Sequence, residues 1–310
     1  MIVIVSLNPA VDKYLRLAQL RLGEYQQVEE VVTSAGGKGI NVAGVARELG
    51  EEVAVLGFFG GYTGDFLLSE LEKEGVRAIP VRITHPTRVA FVVVERGERR
   101  ETEIVEPGAP FTPAELGRLR AHLADVTRDA KVVVLSGSVP PVAERGIYAQ
   151  LLSDCSAAAL TLLDTSQPWL QAGLRGPRPP DMIKPNRREA RQLLGRELDA
   201  PADFRQALDE LSAVVATPMI SDGPHGLYAR HGGAYWHAQP PELEVENSVG
   251  SGDAAVAGLA VALARGEAFP QALRLAAACG AANVLTKECA QVRRADVERL
   301  LPQIEIDQNL

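Results

Sequence analysis

Residues Gly250-Ser251-Gly252-Asp253 place two glycines and a serine before a carboxylate, and the apolar run Ala254–Ala264 follows at once. That run is alanine-rich and long enough for about three turns, which favours helix. A helix start leaves backbone N–H groups without partners and carries the positive end of the helix dipole. Glycines let that backbone approach an anion closely. A carboxylate here can take a proton from a hydroxyl while the amides hold negative charge, a pairing that suits phosphoryl transfer. The same residues also fit a plain Asp N-cap on a buried helix.

A second glycine cluster, Gly36-Gly37-Lys38-Gly39, precedes Ile40-Asn41. It is not a P-loop, because Gly39 stands where Ser or Thr is needed and Val32 where the upstream glycine belongs. It is not a dinucleotide fingerprint either, since Val42 replaces the third glycine. What remains is a glycine turn opening a helix, with Lys38 and Asn41 on its first turn. That arrangement suits an oxygen-rich, anionic small ligand, or simply a turn with a solvated lysine. Asn186 and Glu189 are three residues apart and share a helix face, a spacing that also matches a capping box. The five histidines, His85, His122, His225, His231 and His237, show no ligand spacing and read as surface residues. Cys155, Cys279 and Cys289 form no CxxC pattern, which argues against zinc or a disulfide framework and fits a reducing compartment.

These residues need a frame. Strands are predicted at Met1–Leu7, Val53–Phe58, Lys131–Ser136, Thr161–Asp164, Met182–Lys184 and Val214–Ser221, with a hairpin across Gly232-Gly233. Helices are predicted over Ile40–Leu49, Thr63–Glu74, Ile147–Ala158, Arg187–Leu194, 253–265, about 269–286 and about 294–301. Strands spaced by helices imply an α/β fold with a mainly parallel sheet covered on both faces. Two segments break the rhythm. Val11–Val32 is strand-like, and Arg88–Val105 alternates as a hairpin with its turn at Arg96-Gly97-Glu98. They read as a small separate β-sheet flanking the main one. The expected layout is one unit over 1–310, with a lid from 11–32 and 88–105.

Composition narrows the classes. The 310 residues are 46% hydrophobic and 23% charged, as in an ordinary globular protein. A net charge of −8 argues against nucleic acid as a partner. No segment reaches the length of a membrane span, and no basic stretch precedes the first apolar run, so no membrane and a cytoplasmic setting are expected.

Taken in order, four motifs resemble those of the PfkB (ribokinase-like) carbohydrate kinases. Asn8-Pro9-Ala10-Val11-Asp12 with Gly36–Ala43 resembles the family's N-terminal signature, and Asn247–Gly258 its C-terminal one. Ser136-Gly137-Ser138-Val139-Pro140-Pro141 is similar to its SGSLPP turn, and Lys184-Pro185-Asn186 with Glu189 to its KPNxxE segment. The NPA-D, GGKGIN and SGS-PP forms resemble the 1-phosphofructokinase and tagatose-6-phosphate kinase branch. Departures are Ser6 for a common Thr, Ser251 for a common Ala and Ala254 for a common Ser.

The resemblance implies an ATP-dependent kinase of a phosphorylated ketohexose, with fructose 1-phosphate or tagatose or fructose 6-phosphate as substrate. Asp253 would be the base, and the backbone of Gly250, Ser251, Gly252 and Asp253 would hold the γ-phosphate. Asn186 and Glu189 would orient Mg²⁺ through water. Lys184, Asn186, Ser221, Gly223, Gly226 and Asn283 would border the nucleotide. Asp12, Gly37, Lys38, Asn41, Arg88, Ser136 and Ser138 would surround the sugar, with Lys38 and Arg88 at its phosphate. The apolar side of the lid, with Val89, Phe91 and Val93, implies a homodimer formed through the lids. A kinase of an unphosphorylated sugar or nucleoside is the nearest alternative. A catalytically silent sugar or nucleotide sensor is the alternative from another class.

Overall fold

The structure is a computed structural model that describes residues 1–96 and 100–308. In chain order the strands are β1 (Ile2–Ser6), β2 (Ala10–Leu17), β3 (Glu30–Gly36), β4 (Val53–Phe59), β5 (Arg77–Arg82), β6 (Arg88–Glu95), β7 (Arg100–Val105), β8 (Val132–Ser136), β9 (Leu160–Asp164), β10 (Met182–Ile183), β11 (Thr217–Ser221), β12 (Leu227–His231), β13 (Ala234–Gln239) and β14 (Glu305–Asp307). The helices are α1 (Lys38–Glu48), α2 (Gly61–Lys73), α3 (Pro113–Val126), α4 (Ile147–Asp154), α5 (Trp169–Leu174), α6 (Arg187–Leu194), α7 (Pro201–Ser212), α8 (Ser251–Arg265), α9 (Phe269–Asn283) and α10 (Arg294–Leu300).

Among the described residues ten strands form the main sheet, in the order β14-β13-β12-β11-β10-β9-β8-β1-β4-β5. From β11 to β5 every neighbouring pair is parallel, and β12, β13 and β14 continue antiparallel. The central strands are apolar on both faces, as a sheet covered on both sides requires. In β1, Ile2 and Ile4 pack into one core with α1, α2, α8, α9 and α10, while Val3 and Val5 pack into the other with α3, α4, α5, α6 and α7. The period-two alternation of a strand thus divides one short apolar run between two hydrophobic cores.

The four other strands make a small sheet ordered β3-β2-β6-β7. Its outer pairs are antiparallel, and its central pair, β2 with β6, is parallel. The expected separate sheet is therefore present. The turn foreseen at Arg96-Gly97-Glu98 reaches beyond the described residues at Gly97 and Glu98. Residues paired across strands point the same way, so Asp12 shares a face with Ser34, Gly36, Arg88 and Ala90, while Val11, Lys13 and Leu15 share the other with Val89, Phe91 and Val93.

The sequence reading missed β5, α3, α5, α7 and β14. The helix expected to Ala158 stops at Asp154, where Arg178 donates to the carbonyls of Cys155 and Ser156. The strand expected from Val214 begins at Thr217, because the amides of Val214 and Val215 still bond to Leu211 at the end of α7. His231 and His237 are half-buried rather than on the surface, stacked on Phe269 and Tyr228. Among the described residues no helix is long and apolar enough to cross a membrane.

Candidate active site

The chemistry-bearing residues gather at the carboxyl ends of the parallel strands, where open α/β sheets leave a crevice. Asn8 follows β1, Ser136 ends β8, Asp164 ends β9, Lys184 follows β10 and Ser221 ends β11. The N-termini of α1 and α8 enter from one side, and the small sheet faces them with Asp12 and Arg88.

Helix α8 begins two residues before the expected 253, with Gly250 as N-cap and Asp253 within the first turn rather than at the cap, and α1 likewise opens at Lys38 rather than Ile40. Gly250 holds φ +85°, and a Cβ there would stand 2.3 Å from the amide nitrogen of Ala290, so only glycine fits this turn. The helix geometry leaves the first-turn amides without acceptors inside the helix. Asn283 is fully buried and donates to the Val249 carbonyl at 3.0 Å and to Ser251 Oγ at 2.9 Å. It therefore fixes the glycine loop from behind instead of facing the opening, where a residue bordering the nucleotide would lie.

Asp253 is 5% exposed, yet both of its oxygens are partnered. Asn41 donates to Oδ2 at 2.8 Å, and Lys38 Nζ lies 3.7 Å from Oδ1. Burial pushes this carboxyl above its ordinary range, and the charge of Asp164 adds to that. Lys38, the Asn41 hydrogen bond and Lys184 pull it back. A buried carboxylate with raised basicity is a suitable acceptor for a hydroxyl proton. The Asn41 amide also reaches Cys289 Sγ at 3.6 Å.

Lys38 Nζ sits 3.1 Å from Oδ2 of Asp164, and the negative charge of Asp164 is the main reason its ammonium is held well above the usual lysine range. The sequence reading did not single out Asp164. Its one visible signal was a carboxylate closing the apolar strand LTLLD. Ser136 is buried and hydrogen-bonds Asp164, so it supports that carboxylate, whereas Ser138 is exposed and accepts from Asn8 Nδ2 at 2.9 Å.

On the small sheet Asp12 has a carboxyl raised to about 6. Burial raises it, Arg88 opposes, and Glu103 and Asp253 add. A Cβ on Gly36 would overlap its oxygens, so the glycine across the ladder makes room for this carboxylate. Arg88 donates from Nε to the Asn8 carbonyl at 3.2 Å, and among the described residues its guanidinium makes no salt bridge. Gly37 is the N-cap of α1, beside Asn8 and Ala10. A cavity of about 590 Å³ runs from Asp12, Tyr14 and Asn41 past Cys289 along α1 to Glu48.

Lys184-Pro185-Asn186 lies beside Ser221, whose amide donates to the Pro185 carbonyl at 3.0 Å. Asn186 and Glu189 form a reciprocal capping box at the start of α6, each side chain accepting from the other's amide at 2.9 Å. Gly223 and Gly226 shape the turn after β11, with φ +53° and +85°.

The family model described as pfkB family carbohydrate kinase matches residues 3–295. Phosphofructokinase-2 from Escherichia coli superposes with a TM-score of 0.91 at 26% identity, covering 97% of this chain and 98% of that one. A possible 1-phosphofructokinase from Thermotoga maritima gives 0.90 at 23% identity, covering 100% and 99%. Ribokinase from Arabidopsis thaliana gives 0.77 at 24% identity, covering 97% and 98%, so the main architecture is ribokinase-like.

Proposed function

This chain belongs to the pfkB family of carbohydrate kinases, and from that premise we propose that it moves the γ-phosphate of ATP to a hydroxyl of a ketohexose that already carries a phosphate. Asp253 takes the hydroxyl proton, the sugar oxygen bonds to the γ-phosphorus, and the bond to the bridging oxygen breaks, its electron pair leaving with ADP. The amides opening α8 face the charge that spreads over the phosphoryl oxygens. Lys184, Ser221, Gly223 and Gly226 line the nucleotide side, and Asp12, Gly37, Asn41 and Ser138 the sugar side.

The observation that carries a phosphorylated substrate is Arg88. It projects from the same sheet face as Asp12, free of any salt bridge among the described residues. A guanidinium fork left open beside a hydroxyl-binding carboxylate matches a sugar phosphate better than a free sugar.

Among the described residues no group of three or more metal-ligating side chains exists. Asn186 and Glu189 offer oxygen donors already engaged in their cap. That donor set fits Mg²⁺ bound chiefly by water and nucleotide phosphates, with these two residues orienting its hydration shell. When bound, the ion neutralises phosphate charge.

The small sheet acts as a lid. Val31 and Ile104 on its strands are 51% and 58% exposed, and this surface supports pairing of two lids in a homodimer. A cytoplasmic setting goes with the kinase reading. Sedimentation at working concentrations tests that pairing, and a monomer throughout removes it.

A nucleotide-consumption assay across fructose 1-phosphate, fructose 6-phosphate, tagatose 6-phosphate and free sugars tests the substrate. Preference for a free sugar or nucleoside overturns the hexose-phosphate reading, and silence on every sugar favours a sensor.

A further inference from the structure

Asp164 closes β9 with 3% exposure, a costly place for a charge unless its oxygens are matched. Lys38 Nζ stands 3.1 Å from Oδ2, and Lys184 Nζ 3.8 Å from Oδ1. Ser136 Oγ lies 3.4 Å from Oδ2. One carboxylate thus ties together α1, the end of β8 and the segment after β10. Burial alone would raise its pKa, but the two ammonium groups outweigh that and hold it below the ordinary carboxylate range.

Both lysines point toward the start of α8. Lys38 Nζ is 3.7 Å from Asp253 Oδ1, and Lys184 Nζ lies 3.4 Å from where a Cβ on Gly252 would be. An ammonium between two carboxylates is poorly placed to serve a phosphate on the far side of the sugar. Arg88, on the small sheet and without an ion pair among the described residues, is better placed for it.

Resting on the kinase reading above, we infer that Asp164 is a positioning residue. By anchoring Lys38 beside Asp253 it commits that lysine to the phosphoryl group in transfer and leaves the substrate's own phosphate to Arg88. The anchor has a second consequence. Asp164 shares the lysine with Asp253, so the base is never fully paired and keeps its affinity for the hydroxyl proton. The charged and polar groups that face Asp253 are Lys38 and Asn41 from α1, Asp164 from β9, Lys184 after β10, Asp12 from β2 and the Cys289 thiol.

The test compares Lys38→Met and Asp164→Asn with the wild type, using a sugar phosphate and the corresponding free sugar, the pH dependence of kcat, and thermal melting. Lys38→Met should lower kcat by roughly 10²-fold on both acceptors, as loss of a charge-stabilising donor does, and leave KM for the sugar phosphate nearly unchanged. Its acid limb should move to higher pH, because a positive neighbour of Asp253 is gone. In Asp164→Asn the acid limb should move to lower pH, because a negative neighbour is gone and Lys38 is left to Asp253 alone. A purely structural role moves neither limb.

The lysine side chain is 41% exposed, and Asp164 keeps Lys184 as partner, so Lys38→Met should fold and decides the matter if Asp164→Asn does not. A rise of more than about tenfold in KM for the sugar phosphate, with kcat intact and the free sugar spared, overturns the inference and returns Lys38 to the substrate phosphate. So do limbs that stay put or move together. A wild type that prefers free sugars breaks the substrate reading instead, and the kcat and pH comparisons then stand on whichever sugar it accepts.

Discussion

The carboxyl edge of the main sheet and the inner face of the small sheet border the same groove but are built differently. At the edge, Asp253, Asp164, Lys184 and Asn283 are nearly or fully buried, and each is bonded to a group from another element. On the small sheet, Asp12 and Arg88 lie diagonally across neighbouring strands on one face, Arg88 being paired with Ala10 and Asp12 with Ala90, and both are half-buried. The edge is over-determined, which suits groups that must not reorganise while charge develops. The small sheet holds its groups chiefly through strand register, with fewer partners behind them. On the proposed function, this difference puts bond-making at the edge and recognition of the sugar on the small sheet. Substitutions at the edge should therefore act on kcat, and those on the small sheet on KM.

The largest effect should follow Asp253→Asn, which keeps the shape and the Asn41 contact but removes basicity. Stopped-time turnover should show kcat lower by roughly 10²–10⁴-fold, with nucleotide affinity little changed. Near-normal turnover in a folded variant would remove the edge's claim to the chemistry.

Gly250→Ala should come next. The methyl group would meet the backbone of Ala290 at a φ that side chains rarely adopt, so either the glycine loop or the 287–292 segment must shift. The expected cost is about 1–3 kcal/mol in denaturant unfolding, with kcat falling more than either KM. Unchanged stability and kcat would mean that the tightness of this turn is irrelevant to the edge.

The edge was more legible in the sequence than its internal wiring. The glycine starts of α1 and α8, the alanine-rich body of α8 and the end points of β9 and β11 could be read because local residues decide them. Missed elements divide by cause. In β5, Pro80 and flanking arginines hide a strand at the end of the parallel block. In α3 the signal was present: Thr112 and Glu115 form a capping box around Pro113. The parallel pairing of β2 with β6 brings Ala10 to Arg88 across a long intervening chain, which no local pattern encodes. Asp164 stayed hidden for the same reason. Its partner Lys38 is 126 residues away, and only the closed sheet makes them neighbours. At Asn186 and Glu189 the cap read from spacing is present, and their part in holding Mg²⁺ remains a proposal of chemistry rather than of geometry.

Arg88→Ala tests the other side of the comparison. Loss of a charge-assisted hydrogen bond is worth about 1.5–3 kcal/mol, so KM for the sugar phosphate should rise roughly 10- to 100-fold. KM for ATP should hardly move, and a free sugar should be insensitive. Arg88→Lys should recover only part of the loss, because a point charge cannot reproduce a two-pronged contact. Equal weakening of ATP would place Arg88 at the edge and dissolve the division.

The smallest and most specific effect concerns Asp12. Its carboxyl is raised to about 6, chiefly by burial, and Arg88 is the group that holds it down. In the proposed role Asp12 accepts hydrogen bonds from sugar hydroxyls on both oxygens only when ionised, protonation turning one of them into a donor, so kcat/KM for the sugar should fall as pH drops through this value. Between pH 7 and pH 5.5 a single group of this pKa loses roughly fourfold in its ionised fraction. The sign for Arg88→Ala follows directly. Removing the guanidinium takes away the influence that lowers the Asp12 pKa, so the midpoint of the acid limb should move to higher pH. The second ionisation of the substrate phosphate also lies near 6, but it is common to both enzymes and cancels when the variant is compared with the wild type on the same sugar. Asp12→Asn should remove this part of the limb and leave the part set by Asp253. A midpoint in Arg88→Ala that stays fixed or moves down would mean that the two side chains do not sense each other across the β2–β6 ladder. Recognition would then have to be sought elsewhere on the small sheet.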